Sequence, residues 1–93
     1  MPKINSVVLS TRKGKRYKAV FEDGLEVHFG LKNPKFGTFI DHHDEAKREA
    51  YIARHSKNNE DWNAPTAGAL SRWLLWEKPS LREAVKAYNK RFG

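Results

Sequence analysis

Residues 17–29 read YKAVFEDGLEVHF, two alternating runs on either side of Asp23-Gly24. Tyr17, Ala19 and Phe21 alternate with Lys18 and Val20. Leu25, Val27 and Phe29 alternate with Glu26 and His28. A period of two sends one set to one face of a sheet. Asp-Gly between two such runs marks a hairpin, because the turn needs a residue that accepts positive φ. Val7, Val8 and Leu9 supply an earlier strand, and Lys13-Gly14 an earlier turn. The pattern predicts a three-stranded antiparallel meander within residues 4–30, apolar on one face. That face needs a cover.

The cover is expected from helices. Residues 31–40, LKNPKFGTFI, form a connector with Asn33-Pro34 and Gly37, and residues 38–40 can add a short edge strand. From Asp41 onward acids come early and bases late, the order that suits a helix dipole. Asp41 is the expected N-cap, with Asp44 three positions on. Ala46, Ala50 and Ala53 form the expected apolar stripe, with Ile52 at its edge. The segment then runs into the polar stretch 56–61. Pro65 and Thr66 open a second helix, with Leu70, Trp73 and Leu74 on its apolar side. Lys78-Pro79 ends it. Ser80 and Glu83 form a capping box for a third helix carrying Leu81, Ala84, Val85, Tyr88 and Phe92. The expected class is α+β: an N-terminal three-stranded antiparallel β-meander followed by three short helices packed on one sheet face. The 93 residues make one domain, with meander and connector in 1–40 and helices in 41–93. A chain of this length buries a modest core, so its aromatics carry much of the packing.

Eighteen Lys and Arg stand against eleven Asp and Glu, a net charge of +7. Residues 1–40 hold eight bases and three acids, residues 41–61 four and six, residues 62–93 six and two. The basic excess therefore sits at both ends, and it suits a polyanion. In TRKGKRYK, Arg12, Lys13, Lys15, Arg16 and Lys18 crowd into seven residues without an acid. Such a hairpin can follow a phosphate backbone without reading its bases. Tyr17 shares the spacing of core residues. Arg82, Lys86 and Lys90 recur every four residues, with Arg91 beside them, as a second basic row. The expected partner is nucleic acid, with DNA favoured, bound without sequence preference.

Trp73 lies with Leu70 and Leu74 and belongs to the core. Trp62 and Trp76 flank that helix. The three tryptophans are the candidate interface for a homodimer, or for a virion or host protein if the cations only solubilise. The chain has no cysteine, hence no disulfide, thiolate metal site or cysteine nucleophile. His42 and His43 are adjacent and diverge by roughly 100° on a helix, and His55 lies more than three turns on, so no metal is expected. No Gly-rich phosphate loop, HExxH or GxSxG appears, so neither cofactor nor enzymatic activity is expected. The longest apolar run, residues 73–76, is too short to span a bilayer, and MPKINSVVLS lacks the apolar stretch of a secretory signal.

Residues 38–92 carry Asp44, Lys47-Arg48, Tyr51, Arg54-His55, Trp62 and the string TAGALSRWLLWEKPSL. On these residues the chain resembles a small protein of large nucleocytoplasmic DNA viruses, marseillevirus-like, with relatives in mimiviruses and algal viruses. The resemblance implies a virion-packaged protein of unknown function, located in the particle and, during infection, in the host cytoplasm or nucleus. It brings no catalytic residues. Arg48, Arg54, His55 and Arg72 would form either an internal network or a partner surface.

Overall fold

The computed structural model describes residues 3–32, 35, 37–56, 62–64 and 66–93. The connector's Asn33-Pro34, the polar stretch 57–61 and Pro65 lie outside the described residues. Three strands come first: β1 (Ile4–Leu9), β2 (Lys15–Phe21) and β3 (Glu26–Leu31), antiparallel in the order β1-β2-β3. Among the described residues four helices follow: α1 (Phe39–His42), α2 (Glu45–Ser56), α3 (Ala67–Leu75) and α4 (Leu81–Phe92). The architecture is the α+β arrangement that the alternating runs and capping signals predict.

The register explains the two faces. Val7 pairs with Ala19 and Ala19 with Val27; Leu9 pairs with Tyr17 and Tyr17 with Phe29. An irregularity between Ile4 and Ser6 lets Ile4 and Val7, three apart, both turn to the core. At Asp23-Gly24 the Gly24 N–H donates to Phe21 O at 3.0 Å, and Gly24 takes a φ of 93°. Leu70, Leu74 and Leu75 of α3 and Ala84 and Tyr88 of α4 close over Ile4, Ala19, Phe21 and Phe29. Leu25, expected on the apolar face, is exposed instead. α4 lies along β1, where the Asn89 amide brackets Ile4. Its Oδ1 accepts the Ile4 N–H at 2.7 Å and its Nδ2 donates to Ile4 O at 3.1 Å. That side chain occupies part of β1's outer edge, where another strand would otherwise pair.

The first helical segment departs from expectation. Residues 38–40 do not form an edge strand: Thr38 caps α1, and Phe39 and Ile40 are helical. Asp41 is not the cap but the third helical residue, and its carboxylate reaches back to the Thr38 N–H and hydroxyl, both at 2.8 Å. His43 takes a left-handed conformation, φ 57°, which ends α1. Asp44 then starts α2 by accepting the N–H groups of Ala46 and Lys47. Three expected helices are therefore four.

α2 is also turned about its axis. Ala46, Ala50 and Ala53 face solvent, while Arg48, Tyr51, Ile52 and His55 face inward. These spacings of three, four and seven also share one helical face. Packing settles the choice. A tyrosine ring covers far more apolar area than an alanine methyl, and Tyr51 stacks flat on Trp76 with ring centres 4.3 Å apart. Thr66 and Ser80 cap α3 and α4 with their hydroxyls, as their sequence positions predict.

Candidate nucleic-acid interface

The β1–β2 turn is closed by the Lys15 N–H donating to Arg12 O at 3.2 Å, with Gly14 at φ 80°. Arg12 and Lys13 are exposed at its tip and Lys15 is half-buried beside it. The Lys32 N–H donates to Gly14 O at 3.1 Å, which brings a further cation to the same end of the sheet. Among the described residues, Arg12, Lys13, Lys15 and Lys32 have no carboxylate partner. A cleft of about 570 Å³ opens beside them, lined by Lys15, Arg16, Tyr17, Lys32 and Asp41 among others; Arg12 and Lys13 stand outside its lining. Leu9, 76% exposed, forms part of its wall.

The other two hairpin cations are engaged. Arg16 grips Asp41 with two nearly parallel bonds, Nη1 to Oδ2 at 2.8 Å and Nη2 to Oδ1 at 2.7 Å. This fork-to-fork geometry ties β2 to α1. The guanidinium, and then Thr38, hold the Asp41 carboxyl well below the usual carboxylate range. Asp41 in turn raises Arg16. Lys18 stands 3.6 Å from Glu26, whose side chain is half exposed, so water screens the pair and the contact is weak. Tyr17 shares the covered face with Phe29, and the Arg16 guanidinium sits 5.0 Å from its ring centre, so Tyr17 is a packing residue here.

The opposite sheet face carries Ser6, Val20 and Glu26 in one row and Val8, Lys18 and His28 in the next. His28 Nδ1 lies 2.6 Å from Ser10 Oγ, which also accepts the Arg12 N–H at 3.0 Å. Desolvation, and then the charges of Arg12, Lys18 and Lys15, hold His28 below its ordinary value, against an opposing pull from Glu26. With the ring neutral, Nδ1 accepts the Ser10 hydroxyl proton and the ring N–H is at Nε2. The loop-and-strand constellation Ser10, Arg12, Lys18, His28 thus adjoins the tip. Composition alone did not single out Lys32 or His28. The observed register centres on Asp23, not on the Asp23-Gly24 bond, and this sets His28 opposite Lys18 and Lys32 level with Gly14; a turn centred on the dipeptide would have put Phe29 opposite Lys18.

Arg82, Lys86 and Lys90 are exposed on α4 but line no part of the cleft. Val7 shares a shallow groove with Leu81, Arg82, Val85 and Lys86, while Asn89 sits at Ile4. α4 therefore runs antiparallel to β1, with its Arg82 end toward the tip. Arg91 does not extend this row; it lies over the Trp73 ring at 4.4 Å.

The tryptophans are half-buried and engaged within the chain. Trp73 Nε1 donates to Trp62 O at 2.7 Å, and the ring is flanked by Arg72 at 4.5 Å and Arg91 at 4.4 Å. Arg72, 7% exposed, donates to Glu77 Oε2 at 3.1 Å. Arg48 donates to Glu77 Oε1 at 2.6 Å and, through Nε, to Trp76 O at 2.8 Å, capping the end of α3. Burial lowers Arg72 from its ordinary value despite the neighbouring Glu77. Arg48 and Arg72 thus form an internal network through one glutamate. His55 stacks on Tyr51 at 4.1 Å, and Arg54 is exposed. No described helix is long and apolar enough to cross a membrane.

A protein family described as a family of unknown function, DUF5754, matches residues 5–55. The match spans the meander from the second residue of β1, the connector, α1 and nearly all of α2, a little over half of the chain, and the chain belongs to this family. No curated protein and no solved structure matches it.

Proposed function

We propose that this member of a family of unknown function binds nucleic acid through phosphate contacts at the β1–β2 tip, without enzymatic activity and without base specificity. The supporting observation is that Arg12, Lys13, Lys15 and Lys32 gather at one end of the sheet with no carboxylate partner among the described residues, Lys15 and Lys32 lining the cleft there. Lys18, loosely paired, joins them on the neighbouring face, and Arg16 serves mainly to anchor the hairpin to α1. Arg82, Lys86 and Lys90 extend the basic surface along α4. The likeness to small proteins of large DNA viruses favours viral DNA as the partner, in the particle or the infected cell. A two-fold homodimer would join two such surfaces into a longer one.

A salt titration against two unrelated duplexes tests the proposal. Log affinity should fall with log salt at a slope of about 3 to 4 for four phosphate contacts, alike for both sequences. A flat salt response, or no binding at low salt, overturns it. Molar mass in solution, with and without duplex, tests the homodimer: a monomer mass in both conditions overturns that part.

A further inference from the structure

Adjoining the tip cleft at Gly37, a second open groove of about 470 Å³ lies where the end of β3 meets α1 and α2. Its floor is apolar: Leu31, 66% exposed, the methyl of Ala50 and the Trp76 side chain. Its rim is cationic through Lys47 and Arg54 of α2, with Lys35 also in the lining, and none of the described lining residues is a carboxylate. Lys47, Ala50 and Arg54 are spaced three and four apart, so α2 presents them on one face. The small Ala50 leaves a depression between the two long basic stems. The turned α2 creates this surface, because its alanines face outward while Tyr51 stacks on Trp76 from within.

We infer that this groove docks an acidic peptide segment that presents an apolar side chain. An apolar floor rewards burial of a hydrocarbon group, and a rim of one sign selects an anionic partner. A nucleic-acid strand fits less well. Tyr51 covers one face of the Trp76 ring, and His42 leans on it at 5.5 Å and 60°, so little ring face is left for a base. Phosphate contacts alone make no use of Leu31 or Ala50. This inference does not rest on the nucleic-acid proposal: the two sites meet at Gly37, but Lys47, Ala50 and Arg54 line this groove and not the tip cleft.

The test uses the full chain and a short fluorescent peptide of alternating glutamate and leucine with a central phenylalanine. A peptide with lysine for glutamate serves as control, and an oligothymidylate as competitor. The acidic peptide should bind and the lysine peptide should not. Lys47→Gln with Arg54→Gln should weaken binding about tenfold. Ala50→Trp, which fills the depression without changing charge, should weaken it at least as much. Unchanged thermal midpoints in both variants show that they fold. Duplex affinity should be retained in Ala50→Trp, which separates this groove from the tip. Equal peptide binding by wild type and both variants, or displacement of the peptide by oligothymidylate with matching loss in the variants, overturns the inference.

Discussion

The tip of the sheet and the junction of α2, α3 and α4 are built from the same basic residue types and use them in opposite ways. At the tip, Arg12, Lys13, Lys15 and Lys32 gather at a turn where backbone bonds, not acids, set the geometry. At the junction, Arg48, Arg72 and Arg91 are consumed by structure, two sharing Glu77 and two flanking Trp73. The difference lies in what surrounds each cation. A half-buried guanidinium persists only where a carboxylate, a carbonyl or an aromatic face offsets its lost hydration. An exposed ammonium needs no such partner and stays available for one.

Removing the counter-charge at the junction should have the largest effect on stability. Glu77→Ala leaves two guanidiniums without their carboxylate, one of them almost fully buried, and should cost about 3 kcal/mol in urea unfolding. Arg72→Met should cost much less, about 1 kcal/mol, because Arg48 and Glu77 stay paired and a buried charge becomes apolar. An equal loss in both variants would mean that the network acts through Arg72 packing and not through charge.

Asp41 sits between the two regimes, joining a tip cation to a helix start. Asp41→Asn should cost about 1 to 2 kcal/mol, discounted because the pair is partly exposed. The folded carboxyl titrates below its unfolded value. Its contribution is therefore fully present above about pH 4 and is lost as pH falls through the acid range below that. The variant should lack this part of the acid limb in a pH series of unfolding midpoints.

At the tip, Arg12→Ser, Lys13→Ser and Lys15→Ser together should leave stability within about 0.5 kcal/mol of wild type. The salt slope of duplex binding should drop by about 2 to 3. A stability loss as large as that of Glu77→Ala would erase the contrast between the regions. The smallest effect concerns His28. Desolvation, and then its positive neighbours, hold its imidazole below the ordinary value, and phosphate at Arg12, Lys15 and Lys18 would cancel the neighbours' share and recruit a proton. Binding should then take up protons, so affinity should rise as pH falls from 7.5 toward 6, by less than tenfold. His28→Gln should flatten that dependence, and proton uptake measured in two buffers of different ionisation enthalpy checks it.

Much of the fold was legible because local rules were strong and mutually consistent. Asp23-Gly24 with flanking alternation specified β2 and β3, and Thr66 and Ser80 marked two helix starts. Reading failed where two local patterns were equally allowed. Ala46, Ala50 and Ala53 make as good a helical face as Arg48, Tyr51 and His55, and nothing within α2 chooses between them. Trp76 and Glu77, more than twenty residues on, make the choice. His43 similarly looks like mid-helix sequence, and only the contacts around α1 reveal a left-handed break.

For the candidate site, the sequence alone determined that a tight basic reversal without acids would exist, since the alternation and Lys13-Gly14 make the turn. Tertiary structure decided which cations remain available there. Arg16 meets Asp41 across twenty-five residues, and Lys32 arrives through the pairing of β3. Charge pairing depends on distances in space that fall off steeply within a few ångströms. Sequence fixes which charges are present, and only the packed fold fixes which of them cancel.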